Sequence, residues 1–140
     1  MKWYLASRTR HQTKLQELAA FLESKGQIIN SDWIYKGSMK PFAEHLDEVQ
    51  ELGKHNVEMM LDTEVFMAIN DKDGTDLFTE YGVCLAKKAQ GGTIRLYIVG
   101  EYDHASLMQL YPGVIHVQTV AEVFDAENID YTGFTIPSFI

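Results

Sequence analysis

Carboxylates dominate the polar chemistry available to this chain. Glu80 follows a polar, turn-rich stretch, NDKDGTDLFTE, and lies about one turn inside a helical pattern of Leu77, Tyr81, Cys84 and Leu85. The positive end of a helix dipole favours an ionised carboxylate there, the form that attacks an electrophilic carbon. An ordinary first-turn glutamate gives the same pattern, so periodicity alone assigns Glu80 no role. The single cysteine, Cys84, excludes an internal disulfide and, four residues after Glu80, shares its helical face as a small packing residue. His104 and His116 have no nucleophile beside them in sequence and are read as structural. No histidine or cysteine pair has metal-ligand spacing, so neither a metal nor another cofactor is expected.

The elements that must position these groups alternate between strand and helix. Trp3 to Ala6 reads as a first strand, and Leu15, Leu18, Ala19 and Leu22 mark a helix that Gly26 stops. Gln27 to Trp33 reads as strand two. Helix two starts near Pro41, carries Phe42, Leu46, Val49 and Leu52 on one face, and is expected to kink or split at Gly53. Val65 to Ile69 is a nearly continuous apolar run, as in a parallel strand buried on both faces. Glu80's helix comes next. Thr93 to Val99 and Val114 to Val117 supply strands four and five, and Val120 to Phe124 a last helical turn. This alternation predicts an α/β fold, a three-layer doubly wound domain of flavodoxin or Rossmann type with a parallel sheet of about five strands. One domain over residues 1–140 is expected, with an apolar tail, 131–140, docked on its own core or on a neighbouring subunit.

In such a sheet, ligands bind beyond the carboxyl ends of the strands. That rule selects Ser7 to Arg10, Asp32 to Tyr35, Asn70 to Asp76, Gly100 to His104, and Gln118 to Thr119. Arg8 and Arg10 could bind an anion or form a solvated helix face. Trp33 and Tyr35 could stack on a heterocycle, and Trp33 could equally belong to the core. Twelve basic residues against twenty acidic ones leave a charge of −8, which opposes attraction to nucleic acid or anionic lipid. With no stretch long enough to span a membrane and no signal-peptide pattern, a cytoplasmic location is expected.

The segment Gly74-Thr75-Asp76-Leu77-Phe78-Thr79-Glu80-Tyr81-Gly82-Val83-Cys84-Leu85-Ala86 resembles the nucleoside 2-deoxyribosyltransferase family and its related nucleotide N-glycosidases. Tyr4-Leu5-Ala6-Ser7-Arg8 resembles the end of that family's first strand, and Ile98-Val99-Gly100 its fourth. The resemblance implies that Glu80 attacks the anomeric carbon of a (deoxy)nucleoside or nucleoside monophosphate. The base leaves a glycosyl-enzyme, which a second base or water resolves. It also implies a homo-oligomer, base binding near Trp33 and Tyr35, and contact between Asp73, Gly74, Thr75, Asp76 and the 5' end of the sugar. Acidic Asp73 and Asp76 favour a 5'-hydroxyl there, whereas Ser7, Arg8 and Arg10 favour a 5'-phosphate. Many family members carry an aspartate before strand three. The corresponding position here is Asn56, which hydrogen-bonds a sugar but cannot exchange a proton. A non-catalytic nucleotide-binding or sensor module is therefore the alternative function. A flavodoxin-like binding protein would need glycines that Ser7-Arg8-Thr9-Arg10 lacks.

Overall fold

The computed structural model describes residues 1–139. Five parallel strands, β1 (Lys2–Ala6), β2 (Ile28–Ile29), β3 (Val65–Ile69), β4 (Arg95–Val99) and β5 (Ile115–Val117), form one sheet in the order β2-β1-β3-β4-β5. The helices are α1 (Gln12–Ser24), α2 (Leu46–Leu61), α3 (Thr75–Ala89) and α4 (Val120–Ala126). No helix among the described residues is long and apolar enough to cross a membrane.

Alternation along the strands sorts side chains between the two faces of the sheet. Trp3, Leu5, Val65, Met67, Tyr97 and Val99 pack with α1 and α4, while Tyr4, Ala6, Phe66, Ala68, Leu96 and Ile98 pack with α2 and α3. All five residues of β3 are buried, as its continuous apolar run requires. The strand order reverses direction between β1 and β3, whose carboxyl ends therefore flank the crevice where doubly wound folds bind ligands.

Two elements differ from expectation. Strand two shrinks to Ile28–Ile29, because the Ser31 hydroxyl, not a backbone carbonyl, accepts the Leu5 amide at 2.8 Å, and Asn30 turns its side-chain amide to the Met59 carbonyl at 3.2 Å. Helix two does not break at Gly53. Its division falls earlier, where a short 3-10 turn at Phe42–Glu44 precedes α2, which then runs unbroken to Leu61. The tail lies on its own core, with Phe134 stacked on Phe21 at 4.0 Å and Phe139 edge-on to His11 at 5.3 Å; its last residue, Ile140, lies outside the described residues. Phe42 and Leu46, the first two residues of the apolar face read for helix two, are exposed. Exposed apolar side chains among the described residues include these at the start of helix two and, more exposed still, Leu107 and Met108.

Candidate active site

Tyr4 projects from β1 towards α3, and Glu80 projects from α3 towards β1. The Glu80 residue is half-buried, with its Oε2 shut off from solvent. Burial raises the carboxyl to about 7; the Tyr4 hydroxyl pulls it down and the Asp76 charge one turn earlier pushes it up. Tyr4 is fully buried, and burial followed by the Glu80 charge drives its phenol far above the ordinary range, so it stays protonated. The two groups interact, yet neither Tyr4 Oη nor Glu80 Oε2 completes a hydrogen bond of normal geometry with a described residue.

A third buried polar atom is in the same condition. Asp32 follows β2, and its Oδ2 meets His55 Nε2 of α2 at 2.8 Å, while Oδ1 is buried without a partner. The Asp32 charge is also felt at Tyr4. Tyr4 Oη, Asp32 Oδ1 and Glu80 Oε2 make up the buried, unpartnered side-chain polar atoms among the described residues, and the Glu80 and Asp32 charges both act on Tyr4, on the strand that borders the switch point. Native folds tolerate few such atoms, and functional sites are where they collect. Of the three residues, only Glu80 was singled out from sequence. Tyr4 sits within an apolar strand and looks like core, and Asp32 falls inside a ligand-end segment with nothing local to distinguish it.

Next to this centre lies a cleft of about 400 Å³ lined by Ser7, Arg8, Thr9, Lys40, Phe42 and the loop from Asp73 to Leu77. The structure thus brings Ser7, Arg8, Asp73, Gly74, Thr75 and Asp76 together as expected. Both arginines already hold carboxylates: Arg8 pairs with Asp73, and Arg10 with the buried Asp71. Gly74 is required for this arrangement. Its φ is +140°, and a Cβ there would stand 2.9 Å from Arg8 Cδ. The Ser7 hydroxyl donates to the Arg8 carbonyl at 2.8 Å and steadies the turn.

The remaining expected residues separate. Trp33 donates its indole N–H to the Leu5 carbonyl at 2.9 Å and packs against both cores, so its ring is held in place structurally. Tyr35 is exposed. Asn56 is half-buried on α2, next to His55. Cys84 is fully buried, its thiol raised to about 12 by burial and then by Glu80, which leaves no thiolate. His104 and His116 both bind Asp103, at 2.7 and 3.1 Å, and tie the β4 and β5 ends together.

The fold and this carboxylate centre define a doubly wound α/β domain with a buried acid at its switch point. No protein-family model matches the sequence, and no curated protein matches it. Among solved structures the chain is similar to the CMP N-glycosidase BcmB of Clostridium botulinum, with a TM-score of 0.58 and 16% identity over 92% of this chain and 98% of that one. At that identity the likeness is one of fold.

Proposed function

We propose that this protein cleaves the N-glycosidic bond of a nucleoside or nucleoside monophosphate, with Glu80 as nucleophile. The observation that carries this reading is that Tyr4 Oη, Asp32 Oδ1 and Glu80 Oε2 lack partners while the Glu80 and Asp32 charges both act on Tyr4, on the strand that borders the switch point. Glu80 attacks the anomeric carbon, the bond to the base nitrogen breaks, and the sugar is held as an ester on Glu80. Water then attacks the same carbon and frees Glu80; a second free base in place of water makes the reaction a transfer. Two displacements at one centre retain its configuration. Tyr4, locked in its protonated form, stabilises the carboxylate as it leaves the ester.

Incubation with ribo- and deoxyribonucleosides and their monophosphates should release free base. A 2'-fluoro substrate, whose second displacement is slow, should leave a pentosyl adduct that peptide mass spectrometry locates on Glu80. Base release without an adduct, or an adduct elsewhere, overturns the nucleophile assignment. A second reading, a nucleotide-binding module without turnover, draws on Asn56. Tight calorimetric binding with no base released selects it.

A further inference from the structure

A departing base needs a proton on its ring nitrogen, and Asn56, an amide, has none to give. We infer that Asp32, held by His55, is the acid and base of this site: its Oδ1 delivers a proton to the leaving base and recovers one from the attacking water. The inference rests on the N-glycosidase reading above.

Four features converge on Asp32. It stands at the carboxyl end of β2, the strand next to β1, and its charge reaches Tyr4, the residue facing Glu80. Its two oxygens are differentiated. Oδ2 is fixed by His55 Nε2 at 2.8 Å, whereas Oδ1 is buried with no partner of its own. A merely structural ion pair gains from satisfying both oxygens, and a buried acceptor left open costs about 1–3 kcal/mol. His55 is 40% exposed and lines a groove of about 370 Å³ with Lys36, Glu48 and Glu51, so the pair can exchange protons with solvent between turnovers. Finally, His55 and Asn56 are consecutive on α2, so the pair is anchored in the same helical turn that carries an amide where the resemblance implies a carboxylate.

The proton balance closes over one cycle. At rest the pair carries one exchangeable proton. As Glu80 attacks, the electron pair of the bond between the anomeric carbon and the base moves to the ring nitrogen, which takes that proton. In the second displacement the water oxygen bonds to the anomeric carbon, the ester bond to Glu80 breaks to regenerate its carboxylate, and the surplus water proton returns to Asp32. Base and free pentose leave. His55 acts here as a positioning residue, aiming Oδ1 and stabilising the carboxylate after proton delivery.

The test compares two leaving groups on wild type, Asp32→Asn and His55→Gln. A natural nucleoside needs protonation at its base; a 4-nitrophenyl 2-deoxyribofuranoside does not, because nitrophenolate leaves as an anion. For Asp32→Asn, base release from the nucleoside should fall by about 10²–10⁴-fold, the usual scale of general acid catalysis, while the first burst of nitrophenolate stays within about fivefold of wild type. The retained burst also shows that the variant site is folded. His55→Gln should show the same split at roughly tenfold, since it disturbs the acid without removing it, and it serves alone if Asp32→Asn does not fold. Equal losses on both substrates mean a structural role and overturn the inference; so does an unchanged nucleoside rate. A wild type inert to both substrates overturns the glycosidase reading itself, and this inference with it.

Discussion

Two glutamates, each beside a tyrosine from the sheet and each with a carboxylate oxygen shut off from solvent, show how differently one fold treats the same side chain. At the amino-terminal edge, Glu127 receives both Arg95 Nε and Nη2 at 2.6 Å and the Tyr97 hydroxyl at 2.5 Å. Burial alone would raise its carboxyl, but the hydrogen bonds from Arg95 and Tyr97 and the Arg95 charge outweigh that and hold it below the ordinary range. At the carboxyl edge, Glu80 has no cation partner among the described residues, and burial raises it to about 7. Glu127 is spent on the fold. Glu80 keeps an unpartnered oxygen at the price of stability, which is the usual relation between a structural and a reactive carboxylate.

Exchanging each charge for an amide should separate the two roles. Glu80→Gln should lower turnover by three or more orders of magnitude, measured as base release, because the attacking oxygen loses its charge. The folded Glu80 carboxyl binds its proton more tightly than an ordinary one at 4.5, so stability present below about pH 4.5 is lost as pH rises through about 7. The amide escapes that loss, and at pH 8 Glu80→Gln should be more stable than wild type by up to about 3 kcal/mol in urea, with little gain near pH 4.5. Glu127→Gln should do the reverse. It leaves Arg95 without its charge partner and should destabilise by about 1–3 kcal/mol, discounted for the partial exposure of Arg95, while turnover per folded molecule is unchanged.

The same comparison has a pH signature. Because the nucleophile must be ionised, the acid limb of the kcat/KM profile should rise about tenfold per pH unit below pH 7. A profile already flat at pH 5 would mean that Glu80 is ionised as easily as Glu127 and would remove the contrast. The smallest effect concerns the cleft. A 5'-phosphate must compete with Asp73 for Arg8, so Asp73→Asn should raise kcat/KM for monophosphates relative to nucleosides by about tenfold, the change expected from freeing one charge-assisted bond. An unaltered ratio would show that Arg8 does not meet the 5' end.

Which parts of this were legible follows from how local each signal is. The apolar runs of β1, β3 and β4 depend on their own neighbours, and the five-stranded parallel sheet followed from them and from the helical patterns between them. Periodicity alone gave Glu80 no role, and it was singled out by the family resemblance that Gly74 to Ala86 carries. The end of β2 was not, since it depends on Ser31 meeting Leu5 and Asn30 meeting Met59, contacts that no local period records. An intact α2 through Gly53 reflects tertiary packing against α3 overriding a cost of about 1 kcal/mol for a mid-helix glycine. Tyr4 and Asp32 escaped notice for a related reason: their importance lies in what they fail to bond, which only the folded arrangement reveals.

Trp33 has a consequence of an optical kind. The chain has two tryptophans, and they sit in unlike places. Trp3 is sealed in the core, its indole N–H on Gln27 Oε1 at 2.9 Å, so its emission is blue-shifted and changes only on unfolding. Trp33 is half-buried, adjoins Asp32 in sequence, and holds the carbonyl of the residue after Tyr4. Its ring packs against the hydrophobic clusters on both faces of the sheet, the second of which includes Tyr4. The Trp3→Phe variant would therefore carry a single native tryptophan, next to Asp32 in sequence, whose emission should shift on nucleoside binding if the base reaches it, with no attached label.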